Sequence, residues 1–266
     1  MLYIKKRTDI PQEIINALNA AKESYKERIS NGDSKAARNA FDDLLVKDKI
    51  RACLIQEQHG LCAYCMQDIH KKARIEHWKS LSNNTKDALD YTNMLGVCYG
   101  GDIAEEPVEE IKGKDRRALC CDAAKGNEDI VLNPCNPEHM SKICYDEVSL
   151  FIYTEPRDEQ LEKDINEILH LNGVKRAEGA FFDTKTNLVY YRREKYKSYK
   201  SYIENLRQVY KTPEEIYMAI KKKITSIENA EMYTPFAGAL LYFLKRDLRR
   251  YKRQIELFSE SLVTLH

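Results

Sequence analysis

Apolar side chains recur three or four positions apart in several stretches of the chain, and that spacing predicts helices. In the first stretch, Ile14, Ile15, Leu18, Ala21, Tyr25 and Ile29 share one face of a helix over Gln12–Ile29. Asn31-Gly32-Asp33-Ser34 then reads as a stop followed by a fresh cap, and a second helix is predicted from Lys35 to about Gln58, ended by His59-Gly60. The helical period is lost over Leu61–Trp78, within which Ala73–Trp78 reads as a strand. Asp87–Cys98 fits either the opening of a helix or a strand-like return. Tyr99–Leu119 holds Gly100-Gly101 and the acidic run Glu105-Glu106-Pro107-Val108-Glu109-Glu110, the pattern of an exposed insertion loop. One hairpin is predicted around Ile143–Thr154. Helical spacing returns over Glu159–Leu171, Arg192–Tyr210, Pro213–Glu228 and Phe236–Leu262.

No period of 20 to 50 residues repeats. The expected fold class is α+β, a small metal-bearing module inside a mostly α-helical scaffold. Three segments follow: a helical one at 1–58, a cysteine-rich module at 59–145 with the insertion at about 99–119, and a helical, basic one at 146–266.

Composition narrows the class. Of 266 residues, 43% are hydrophobic and 32% charged, and the mean hydropathy is −0.60, which excludes disordered, collagen-like and membrane-spanning chains. Met1–Arg7 has no apolar run behind its basic residues, and the longest uncharged apolar stretch, Met232–Leu244, is too short for a span and contains Pro235. The expectation is a cytoplasmic protein without a leader or membrane contact. The net charge of +1 conceals an asymmetry. From Thr184 onward there are 17 Lys and Arg against 9 Asp and Glu, a net of +8, which leaves −7 for residues 1–183. Such a basic region suits either phosphates or an acidic partner surface.

The eight cysteines fall at 53, 62, 65, 98, 120, 121, 135 and 144. Reducing compartments disfavour disulfides, so a metal is the better default. Cys62-Ala63-Tyr64-Cys65 is a CxxC whose thiolates can reach one Zn²⁺ from a tight turn. A redox pair is disfavoured because a strand-like run, and no helix, follows the motif. Cys62, Cys65, Cys98 and Cys121 form the favoured zinc set, with Cys120, Cys135 or His139 as alternatives for the fourth place. A purely structural zinc knuckle is the plainer reading of the same residues. Cys53 and Cys144 read as buried small hydrophobes.

Between the cysteine pairs lie Glu76-His77 and then Asn93-Met94-Leu95, and after the loop comes Cys121-Asp122-Ala123-Ala124-Lys125-Gly126-Asn127. Over residues 62–127 this order resembles the zinc-ribbon form of the HNH endonuclease family. Asn133-Pro134, the run Ile165-Asn166-Glu167-Ile168-Leu169-His170-Leu171-Asn172 and the overall length look like the PtuB-type HNH proteins of Septu and retron-associated antiphage systems. The resemblance implies a ββα-metal module and a nuclease subunit that works with an ATPase subunit of the PtuA type. A retron reverse transcriptase and its DNA product are further implied partners, with DNA or RNA as the substrate.

It also implies roles. Phosphodiester hydrolysis needs an activated water and a cation beside the phosphate and leaving oxygen. His77 would be the general base, since an imidazole can accept a proton near neutral pH. Glu76 and Asp122 would hold Mg²⁺ or Mn²⁺ through oxygen, and the Asn93 amide would fix the hairpin presenting His77. The zinc would be structural. Two features depart from the family: Asp122 stands where His or Asn is usual, and 22 residues separate the third and fourth zinc cysteines where two are usual. Cys121 is preferred over Cys120 because Asp122 and Lys125 then fall in the family's register. A satisfied structural histidine is the plainer reading of His77. His59, His70, His170 and His266 read as surface or helix-end residues.

Lys125, Arg192, Arg193, Lys197 and Lys200 are candidate nucleic-acid contacts. The run Arg192–Tyr202 interleaves basic and aromatic residues, as a track for phosphates and unpaired bases would. It equally fits an amphipathic helix that packs its tyrosines inward. Lys245–Arg253 invites both readings and also contact with an ATPase. The rival function is a zinc-stabilised adaptor that binds nucleic acid or a partner without cutting.

Overall fold

The computed structural model describes residues 1–101, 119–175, 179 and 181–263. Most of the expected insertion loop, and His266, lie outside the described residues.

The N-terminal stretch forms four helices, α1 (Gln12–Ser24), α2 (Lys26–Ser30), α3 (Ser34–Asp42) and α4 (Lys47–Glu57). The predicted first helix is interrupted at Tyr25, whose N–H still bonds to the Ala21 carbonyl. The cap at Asp33 forms as the sequence predicts, with its carboxylate accepting from the Ala36 N–H at 2.9 Å. The single helix expected over Lys35–Gln58 is two helices. Leu44 and Val46 both enter the core while Leu45 between them is 99% exposed, a two-residue alternation that a continuous helix cannot produce.

Two short strands follow, β1 (Arg74–His77) and β2 (Met94–Val97), paired antiparallel with Glu76 opposite Leu95 and His77 opposite Met94. Gln58, buried just past α4, binds Gly96 on both sides: its amide oxygen accepts the Gly96 N–H at 2.7 Å and its nitrogen donates to the Gly96 carbonyl at 2.7 Å. A side chain at position 96 would press on that amide and on Ile69, which is why glycine stands there.

Helices α5 (Cys121–Lys125) and α6 (Pro137–Lys142) lead into the predicted hairpin, β3 (Ile143–Tyr145) with β4 (Ile152–Thr154). The helix expected over Glu159–Leu171 is α7 (Glu159–Lys163) continued by a π-turn, Asp164–Ile168. The turn accompanies a tertiary demand on Asp164, whose carboxylate accepts the Val131 and Leu132 N–H groups, each at 2.7 Å. After the small pair β5 (Val174–Lys175) and β6 (Phe181–Phe182) come three long helices, α8 (Leu188–Val209), α9 (Pro213–Glu228) and α10 (Ala237–Val263). Thr212 and Glu215 close a reciprocal capping box at the start of α9.

Among the described residues the fold is thus α+β, three small antiparallel pairs among helices. One core joins α1–α4 to Leu81, Leu89, Tyr91 and Met94. A larger one runs from Met1 and Ile4 through the cysteine-bearing turn to α8–α10. The boundary expected at 145/146 falls within the β3–β4 hairpin, and this larger core passes across it. Among the described residues no helix is long and apolar enough to cross a membrane.

Candidate functional site

Four buried thiols meet close to the β1–β2 pair. Cys62 and Cys65 come from a tight turn in which the Met66 N–H bonds to the Cys62 carbonyl at 3.1 Å and the Gln67 N–H points at the Cys65 sulfur at 3.5 Å. Cys98 follows the end of β2, and Cys121 opens α5 in the left-handed region at φ 57°. The ligand atoms of Cys62, Cys65, Cys98 and Cys121 all lie within 4.8 Å of one another. A tetrahedral zinc with Zn–S near 2.3 Å requires sulfurs about 3.8 Å apart. Cys65 and Cys98 stand at 3.6 Å and Cys62 and Cys121 at 3.9 Å, so the set fits a metal such as zinc. Burial pushes the Cys65 and Cys121 thiols up, and a bound cation supplies the charge that buried thiolates need.

Of the alternatives for the fourth place, Cys120 is buried against Cys65, Cys98 and Cys121, with its sulfur also 3.3 Å from the Thr186 hydroxyl. It falls outside the group whose ligand atoms all lie within 4.8 Å of one another. Cys135 is only half-buried, and His139 accepts the Asn133 N–H at 3.2 Å. Neither belongs to the four-thiol group.

A polar cleft of about 910 Å³ opens nearby, and Glu76, His77, Asp122 and Lys125 line it. The first two come from the end of β1 and the others from α5; Cys121 on α5 and Cys98 just past β2, the partner strand of β1, meet in the four-thiol group. The Asp122 carboxylate stands beside that of Glu76. Burial, and then this neighbouring carboxylate, hold the Glu76 carboxyl well above its ordinary range, against the opposing pull of Lys125. The Lys125 ammonium lies 2.7 Å from Glu76 and donates to the His77 carbonyl at 3.1 Å. The hydroxyl of Tyr64, fully buried in the CxxC turn, has no hydrogen-bond partner and feels the charge of both carboxylates. Two carboxylates of like charge thus share one wall of the cleft, with Lys125 as the cation on Glu76.

His77 is only 6% exposed. Its Nε2 donates to the Ala88 carbonyl at 3.0 Å in the neutral tautomer, which leaves the Nδ1 lone pair free of a proton. Burial lowers its pKa to about 4, and the charges of Lys125 and Arg38 act in the same sense. The ring is held from the side by the edge of Phe41 on α3, with centroids 4.6 Å apart. Asn93 braces the intervening loop. Its Oδ1 accepts the Lys79 N–H at 2.8 Å, while Nδ2 donates to the carbonyls of Lys79 and Asp87 at 3.1 and 3.2 Å.

Two expected nucleic-acid contacts are corrected. Arg192 is 1% exposed, its guanidinium spent on the carbonyls of Leu150, Leu171 and Leu188 and on the Asn172 amide oxygen. Lys125 is 2% exposed and committed to Glu76, so it offers no surface charge. Arg193, Lys197 and Lys200 are exposed on α8, with Lys197 paired to Glu194 at 2.7 Å. The tyrosines of that run turn inward, Tyr199 buried and bonded to Asp247 at 2.6 Å, Tyr196 and Tyr202 half-buried against the larger core. Of the remaining histidines, His59 stacks on Tyr233 at 4.1 Å and His170 bonds to the Leu119 carbonyl at 3.0 Å.

Sequence reasoning missed Phe41, Arg38 and Asp129. Asp129 accepts the Ser80 N–H at 3.2 Å and the amides of Asn83 and Asn84 at 2.8 and 3.1 Å, pinning the loop at the cleft's rim. No short-range pattern marks any of the three. No model of a known protein family matches the chain, and no curated protein matches it either.

Proposed function

We propose that the protein is a metal-dependent endonuclease of the HNH type, hydrolysing phosphodiester bonds of DNA or RNA. The observation that carries this reading is the placement of His77 beside the Glu76 and Asp122 carboxylates on one cleft. In this reading His77 accepts the proton of the attacking water at Nδ1, with Nε2–H anchored on Ala88 to fix the tautomer. Phe41 and the Asn93-braced loop hold the imidazole in place. Glu76 and Asp122 would hold Mg²⁺ or Mn²⁺, which when bound supplies positive charge for the phosphate and the leaving oxygen. Lys125 orients Glu76 and the end of β1. The zinc of the four-cysteine site is structural, joining β2, the CxxC turn and α5.

The motif resemblance extends the proposal to biology. The protein would be the effector of a bacterial antiphage complex, working in the cytoplasm with a PtuA-type ATPase and, in a retron system, with the reverse transcriptase and its DNA. The exposed Arg193, Lys197 and Lys200 would meet nucleic acid or that partner.

One observation favours the adaptor reading: the Glu76 carboxylate already has a cation, Lys125. The test incubates the purified protein, alone and with the ATPase, with plasmid DNA and total RNA in Mg²⁺, in Mn²⁺ or without divalent metal. Metal-dependent products support the nuclease. Salt-sensitive binding with no products in any mixture supports the adaptor.

A further inference from the structure

The cleft poses an electrostatic problem for a polyanion. Five carboxylates line it against three cations, Arg38, Arg74 and Lys125. Lys125 is buried on Glu76. Arg74 lies 3.9 Å from Asp122 and stacks over the Tyr99 ring at 4.6 Å. Arg38 differs from both. It lies on the cleft wall, exposed to solvent, and among the described residues it has no ion pair or hydrogen bond.

Its position relative to the imidazole follows from helix geometry. Arg38 and Phe41 are three residues apart on α3, so they share a face. Phe41 is fixed against the His77 ring, which places Arg38 about one turn, or about 5 Å, further along the same wall. The face of α3 is itself held, because Ala36, Ala37 and Ala40 on its other side are fully buried.

The geometry points to Arg38 as the residue that grips a backbone phosphate of the nucleic acid next to the bond being cut. This assignment rests on the nuclease reading. It makes the N-terminal helices part of the substrate site, beyond the 59–145 module. A guanidinium suits the task because its planar fork matches two phosphate oxygens.

The test compares wild type, Arg38→Ala and Arg38→Lys by cleavage kinetics. A second arm measures binding of labelled DNA duplex and labelled RNA over a salt series, by anisotropy, in the His77→Ala background. Arg38→Ala should raise KM and Kd about tenfold, the cost of one charge-assisted contact, and leave kcat within about twofold. The slope of log K against log salt should fall by about one. Arg38→Lys should recover the slope and part of the affinity. A wild type that cuts, alongside an Arg38→Ala variant with unchanged KM and salt slope, overturns the assignment and leaves the nuclease standing. A wild type that neither cuts nor binds overturns both.

Discussion

Asn93 grips Lys79 by both of its backbone polar groups, accepting the N–H at 2.8 Å and donating to the carbonyl at 3.1 Å. The side chain thereby closes the loop between β1 and β2 just after His77, whose own position on β1 depends on where that loop begins. Asn93→Ala strands three backbone groups, the N–H and carbonyl of Lys79 and the carbonyl of Asp87. We expect a loss of about 2–4 kcal/mol in urea denaturation. Zinc content should be unchanged, since the Asn93 amide bonds to Lys79 and Asp87 and to none of the four thiols. A variant as stable as wild type would show that the loop is held by other means.

The four-thiol site predicts a contrast between neighbours. Cys62→Ser removes a ligand and should lose the metal together with ~5 kcal/mol or more of stability. Cys120→Ser should keep one zinc per chain, because its sulfur falls outside the group of four whose ligand atoms all lie within 4.8 Å of one another. Metal analysis of both variants decides it. Zinc lost from Cys120→Ser but kept in Cys62→Ser would reverse the ligand assignment.

The ligand set, the Glu76-His77 pair and Asn93 were legible in the sequence because each sits within a short motif whose spacing a strand and a turn reproduce. The long C-terminal helices were legible for the same local reason. Phe41 and Arg38 were not, because what brings them to His77 is the docking of α3 on the cleft, a contact made 36 residues away in the case of Phe41. The break at Leu44–Val46 was hidden by a run of apolar residues that suits a helix equally well. Arg192 was misread although a signal was present. It stands four residues after Leu188 and seven before Tyr199, in the buried stripe that continues through Ile203 and Leu206.

That burial gives Arg192 a different prediction from its exposed neighbours. Burial lowers its pKa, and it is carbonyl oxygens that hold its charge. Arg192→Ala leaves those carbonyls unpaired and should cost at least about 2 kcal/mol. Arg193→Ala, at an exposed site, should stay within about 0.5 kcal/mol. Denaturation midpoints of the two variants test the contrast. Equal stabilities would place Arg192 at the surface.

Acid should reveal His77. Its pKa of about 4 lies below the ordinary value of 6.5 because burial opposes the charged form. The unfolded chain therefore takes up this proton before the folded one does. The associated stability is complete above pH 6.5 and is lost as the pH falls toward 4, by roughly 3 kcal/mol over that window. His77→Ala should flatten this part of the pH–stability curve. A variant with the same slope as wild type would mean that other groups set it.

Cleavage by wild type and by His77→Ala under identical conditions, with zinc content and melting curves measured on the same samples, tests the central claim most directly. The nuclease reading predicts Mg²⁺- or Mn²⁺-dependent products from wild type and their loss in a variant that keeps its zinc and remains folded. Wild-type cutting rates in His77→Ala would contradict it.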